Sequence, residues 1–151
     1  MSAVRIFVPI DAAAQSVGAN DVAVAIAREA AQRGIDIELV RNGSRGMLWL
    51  EPLVEVETNA GRIAYGPVAP EDVASLFDVG FLAGGEHRLG HGLTEAIPYF
   101  AKQERLSFAR CGVIDPLDLV DYEGGRRLPR VDRRPSALGR RPEAAPRPAQ
   151  F

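Results

Sequence analysis

Two histidines, His87 and His91, lie four residues apart in GGEHRLGHG, residues 84–92. On a helix that spacing would aim both imidazoles at one metal ion. Four glycines in the stretch argue against a helix, Glu86 is adjacent rather than facing, and no third ligand stands at an obvious spacing, so a polar loop is expected. Ser44 is a candidate nucleophile by type, but its neighbours read NGSRG rather than G-x-S-x-G. Neither histidine can be assigned to it as a base. Gly43 and Gly46 could present backbone amides to an anion with help from Arg41 and Arg45; a tight connecting loop accounts for the same residues. Cys111 is the single cysteine and follows Arg110, whose guanidinium would lower a thiol pKa. The competing reading is a packed thiol at the end of a strand. One cysteine forms no internal disulfide and cannot by itself hold zinc or an iron–sulfur cluster.

With 151 residues the sequence suits one domain rather than two. No apolar run approaches the roughly 20 residues of a membrane span. The start, MSAVRIFVPIDAAAQ, has neither the basic nor the apolar region of an export signal, so a cytoplasmic location is expected. The formal charge of -2 conceals a division. Residues 124–151 carry eight arginines against Asp132 and Glu143, a balance of +6, which leaves -8 on the rest. Five prolines and few large apolar residues mark 124–151 as too poor in core to offset its ordering entropy, and disorder is expected there. Phe151 is the only aromatic residue of that tail, so base stacking and insertion into lipid are both unsupported. A solvated tail is favoured over nucleic-acid binding, which would have to be salt-dependent.

The elements that must position these residues follow from periodicity. Val4, Ile6 and Val8 share one face of a strand, with Phe7 on the other and Pro9 as its stop. Asn20 or Asp21 can cap a helix whose apolar positions Val22, Ala23, Ile26, Ala27 and Ala30 keep helical spacing up to Gly34. Ile35, Ile37 and Leu39 alternate with Asp36, Glu38 and Val40, a strand that a right-handed crossover sets parallel to the first. After the loop at 42–46 comes Met47-Leu48-Trp49-Leu50, which is either core or a partner interface, tryptophan being favoured in the latter. Leu53–Glu57 and Arg62–Tyr65 read as a hairpin, and Pro70–Phe77 as a short helix with proline in its first turn. The order is β-α-β, loop, β-β-α: an α/β domain over residues 3–80. Residues 81–123 are an appendage, with an extended connector over 80–98, a strand containing Leu106 and Phe108, and a helix starting near Leu117 after Asp115-Pro116.

The segment NGSRGMLWLEPLVEVETNAGRIAYGPVAPEDVASLF resembles the second half of the thioredoxin-like [2Fe–2S] domain of NADH-oxidising modules such as that of respiratory complex I. In that family two cysteine pairs hold the cluster. The resemblance puts the second pair at Ser44 and Leu48 and the first at Pro9 and Ala14, so all four ligand positions hold non-ligands. It implies the thioredoxin-like (ferredoxin-type) fold and no cluster in this chain. The segment RLSFARCGVIDPLDLVDYEGG is similar to the lead-in to the flavoprotein subunit of the same modules. Together the two segments resemble the N-terminal part of the beta (flavoprotein) subunit of soluble NAD-dependent formate dehydrogenases.

That resemblance implies an oxidoreductase complex in which electrons pass from formate to NAD. FMN, NAD and iron–sulfur clusters are implied only for the full-length subunit, so no catalytic or cofactor-binding residue is expected here. Other subunits of such a complex are the expected partners, and Met47, Leu48, Trp49 and Leu50 the expected contact. In the family a flavin site follows; here an Arg/Pro-rich sequence does. With 17 arginines to one lysine, a GC-rich coding region read out of frame would give such a mixture, and a truncated or frameshifted fragment is the expectation. A free-standing cluster-free adaptor is the alternative.

Overall fold

The computed structural model describes residues 3–124. Ten regular elements follow one another: β1 (Val4–Phe7), α1 (Ala12–Ser16), α2 (Ala19–Gln32), β2 (Ile37–Val40), β3 (Val54–Thr58), β4 (Gly61–Tyr65), α3 (Val73–Asp78), β5 (Gly90–Leu93), α4 (Pro98–Ala101) and α5 (Leu119–Gly124). The strands form one sheet in the order β2-β1-β3-β4-β5. β1 and β2 run parallel, Val4 opposite Ile37 and Phe7 opposite Val40, with α2 as their crossover. β3 is antiparallel to β1 and forms a hairpin with β4 that closes at the Thr58–Gly61 pair. The expected β-α-β, β-β-α order is thus the observed one.

Side chains alternate across the sheet because the strand period is two. Ile6 faces Val56 and Val56 faces Ile63, and this row packs under Val22, Ala23 and Ile26 of α2 and Val73 and Leu76 of α3. Both helices lie on that face. Burying an isoleucine there is worth roughly 1.5–3 kcal/mol, which makes it the apolar half of the fold. The second face carries the row Phe7, Glu55, Ala64 and is covered by chain rather than by a helix layer. A smaller core of Met47, Leu50, Leu53, Ala64 and Phe100 fills one end of it.

Several local expectations are corrected. Residues 12–16, to which the periodicity assigns no element, form α1, capped by Asp11 Oδ1 accepting from the Ala13 and Ala14 amides. The cap of α2 is Gly18 at φ 96°, not Asn20 or Asp21. The tight corner after α1 needs a left-handed residue, so the helix starts two or three residues earlier and Asp21 falls in its first turn, where an acid suits the helix dipole. The stretch expected as a connector adds β5, whose Gly92 pairs with Ala64. Leu106 lies in a bend and Phe108 in a turn, and both are exposed rather than alternating in a strand. Asp115 Oδ1 accepts from the Leu117 amide, but α5 begins at Leu119 with Asp118 Oδ1 accepting from Val120 and Asp121. The expected disordered tail lies outside the described residues, apart from Gly124. No helix among the described residues is long and apolar enough to cross a membrane.

Gly66 fixes the position of the turn at residues 48–50. A Cβ on Gly66 would overlap the Leu50 carbonyl oxygen and press on Leu53 Cδ1 at 3.0 Å, and the backbone oxygen cannot step aside. Gly66→Ala is expected to cost about 1–3 kcal/mol, the range for overpacking a filled site, and to displace residues 48–50. Denaturant unfolding of the two proteins, compared at unchanged m, checks it.

Candidate functional site

The loop after β2 folds over the second face of the sheet and carries a buried polar cluster. Glu55, 1% exposed, sits on that face of β3, the central strand of the sheet, where an unpaired carboxylate would be strongly disfavoured. Two guanidinium groups reach it. Arg45, 5% exposed, ion-pairs through Nε to Glu55 Oε1 at 2.9 Å and donates from Nη2 to Oε2 at 3.1 Å. Arg62, from β4, donates from Nη1 to Glu55 Oε2 at 3.2 Å and lies over the Phe7 ring at 3.4 Å from its centroid. Arg45 also donates to Glu95 Oε1 at 2.8 Å. Burial opposes the charge of both arginines. Glu55 and Glu95 outweigh it at Arg45, whose pKa is raised, whereas burial prevails at Arg62, whose pKa is lowered.

Residues from far along the chain close this cluster. Arg62 donates to the Gly112 carbonyl at 2.9 Å and the Val113 carbonyl at 2.7 Å, and Asn42 Nδ2 to Gly112 at 2.7 Å. Gly112 has φ 78°, and a Cβ there would strike the Arg45 side chain, so glycine is required twice over. Arg105 donates to the Arg45 carbonyl at 2.9 Å and stacks on Phe100. Beneath the loop the space between Pro9, Asn42, Arg45, Glu51 and Glu55 is packed too closely to admit a water molecule.

The four positions that the family resemblance gives to cluster ligands do not come together as a metal site. Pro9 lies two residues beyond β1, Ala14 is buried in α1 on the helix-covered face, and Leu48 points outward. Ser44 Oγ alone is an oxygen, and it donates to Glu51 Oε1 at 2.7 Å and accepts from the Gly46 amide. A [2Fe–2S] cluster is held by thiolates, so this donor set does not fit one. Among the described residues no group of three or more His, Cys, Asp or Glu is placed to hold a metal ion. Arg41 donates to the Val8 and Pro9 carbonyls and to Asn20, and Arg45 is taken by glutamates, so neither faces an anion at Gly43 or Gly46.

His87 and His91 diverge. His87 lies 3.1 Å from Ser75 Oγ and accepts from the Leu89 amide at Nδ1; with Ser75 donating to the Asp72 carbonyl, the imidazole is the donor of the pair and no base for the serine. His91 donates to the Gly66 carbonyl at 2.8 Å. Cys111 is exposed, in a turn rather than at a strand end.

The apolar loop divides. Met47 and Leu50 are buried in the small core, whereas Leu48 is 61% and Trp49 60% exposed. A short 3₁₀ turn over Leu48–Leu50 produces this split: with three residues per turn, Met47 and Leu50 fall on the same, inward side and Leu48 and Trp49 are turned out. Trp49 meets Tyr99, 43% exposed, edge to face with centroids 5.0 Å apart. Nothing in the sequence joined residues 49 and 99; Tyr99 arrives on α4, which Phe100 anchors in the core.

Glu51 supplies a pH test of the loop. Burial raises its pKa; the Ser44 hydroxyl and Leu53 amide oppose this, and the Asp11 and Glu55 charges add to it. A carboxyl whose folded pKa is raised binds its proton more readily when folded, so its contribution is full below the unfolded pKa and is lost as pH rises through the folded one. Glu51→Gln keeps an acceptor and removes the charge. At neutral pH the variant is expected to melt no lower than the parent, and the difference to close as pH falls to about 4.3, the ordinary glutamate value. Calorimetric melting at the two pH values checks the sign.

No family model matches the chain, and no curated protein does. Solved structures do resemble it. The wild-type thioredoxin-like [2Fe–2S] ferredoxin from Aquifex aeolicus aligns over 61% of this chain and 99% of its own, with a TM-score of 0.50 at 20% identity. A further structure of a thioredoxin-like [2Fe–2S] ferredoxin from the same organism aligns over 65% and 98%, with a TM-score of 0.53 at 18% identity. Likeness at this identity assigns the fold alone, and the fold is thioredoxin-like.

Proposed function

We propose that this chain is the N-terminal part of a flavoprotein subunit of the NAD-dependent formate dehydrogenase type, and that it acts as a non-catalytic contact domain within an electron-transfer complex. The observation that carries the reading is a conjunction: non-ligands at Pro9, Ala14, Ser44 and Leu48, and, directly after Leu48, an exposed tryptophan packed edge to face with an exposed tyrosine. A thioredoxin-like ferredoxin fold supports the electron-transfer setting; the formate and NAD assignment rests on the sequence resemblance. In the intact complex FMN would move the hydride and clusters on other parts would move the electrons. This chain's part is to hold a neighbouring subunit in register.

Leu48, Trp49 and Tyr99 are the contact under this reading. Tryptophan and tyrosine supply large rigid area and are enriched among residues that dominate binding energy. The partner expected is a small [2Fe–2S] subunit or the flavin domain. Trp49→Ala and Tyr99→Ala should each weaken that association by about 2 kcal/mol, roughly thirtyfold, while leaving the melting temperature nearly unchanged because both rings are largely outside the core. Titration calorimetry against the purified partner subunits measures it. No binding by the parent chain to either would overturn the proposal.

A further inference from the structure

We infer that the buried Glu55–Arg45–Arg62 cluster performs in this chain the cross-linking that a metal centre performs in a cluster-bearing domain, and that it does so by holding two otherwise independent segments on the sheet. The inference rests on the proposed reading of Pro9, Ala14, Ser44 and Leu48 as ligand positions. Its physical content comes from the ion cluster itself.

A metal centre ties a loop to the sheet through bonds from distant parts of the chain. Here Arg45 comes from the loop, Glu55 from β3 and Arg62 from β4, so one ion cluster joins three segments. Arg62 and Asn42 extend it to a fourth by donating to the Gly112 and Val113 carbonyls. Residues 102–118 have hardly any regular structure and expose Leu106, Phe108 and Leu117, so burial of apolar surface gives them little hold on the domain. The donors to two consecutive carbonyls hold residues 112–113, and Arg105, on the Arg45 carbonyl and the Phe100 ring, adds a further tie. The dependence runs in one direction: Glu55 holds both arginines, Arg45 holds the loop, and Arg62 holds residues 112–113.

Two variants separate the links in the full chain. Glu55→Gln removes the charge both arginines answer, and amide hydrogen exchange is expected to quicken about tenfold or more both at residues 42–46 and at 110–114. Arg62→Lys keeps a cation for Glu55 but cannot reach two carbonyls with a planar fork, so only 110–114 should quicken. The second variant decides the matter if the first does not fold. Unchanged exchange at 110–114 in Arg62→Lys overturns the inference while leaving the contact-domain reading intact. Separately, the chain is incubated without oxygen with ferrous iron, sulfide and thiol, then desalted. No retained iron and no visible absorption are expected. Stoichiometric iron would overturn the inference together with the reading of the four positions.

Discussion

A carboxylate in the middle of a sheet face is the constraint from which the second half of this structure follows. Glu55 is opposite Phe7 on β1 and Ala64 on β4, and both neighbours are buried. A charge so placed is tolerated only when it is paired and hydrogen-bonded. Arg45 and Arg62 meet that requirement, and to do so the loop after β2 must fold over the sheet and Arg62 must lie flat across Phe7. Once the guanidinium groups are there, their remaining N–H donors need acceptors. The carbonyls of Gly112 and Val113 and the carboxylate of Glu95 supply them.

This gives the two faces of the sheet different physics. On the α2 and α3 side, stability comes from area removed from water, is non-directional, and tolerates exchange of one apolar residue for another of similar volume. On the Glu55 side it comes from directed ion pairs, whose loss on one side alone typically costs about 3–5 kcal/mol because the partner charge stays buried. The apolar core of Met47, Leu50, Leu53 and Phe100 lies at the edge of this polar layer and shields it. Its outward side is where Trp49 and Tyr99 meet, so the exposed aromatic pair stands on a small rigid base.

A thioredoxin-like fold can evidently keep its sheet order with no thiolate at the end of β1 or in the loop. The sheet is determined by strand pairing and by the helices on its apolar face, neither of which involves the loop. What the loop needs is some tether to the second face. An ion cluster is a workable tether because its strength depends on geometry and exclusion of water, both of which the overlying residues 94–113 provide.

Local sequence determined the elements whose physics is local. The alternation of Val4, Ile6 and Val8, the helical spacing from Val22 to Ala30 and the VEVET hairpin were enough to give the succession of the first elements and the apolar face, since period two and period 3.6 are written in neighbouring residues. The split of the 47–50 loop and the pairing of Trp49 with Tyr99 were not legible, because both depend on α4 arriving from fifty residues away. Neither was the role of Glu55. In VEVET it reads like Glu57, an acid on the solvent side of a one-faced strand, and the alternation is the same whichever way the second face is covered. Only the tertiary structure shows that face closed over, because the residues that close it, Arg45, Glu95 and Gly112, are dispersed over nearly seventy positions and are joined by charge and hydrogen bonding rather than by any periodic pattern.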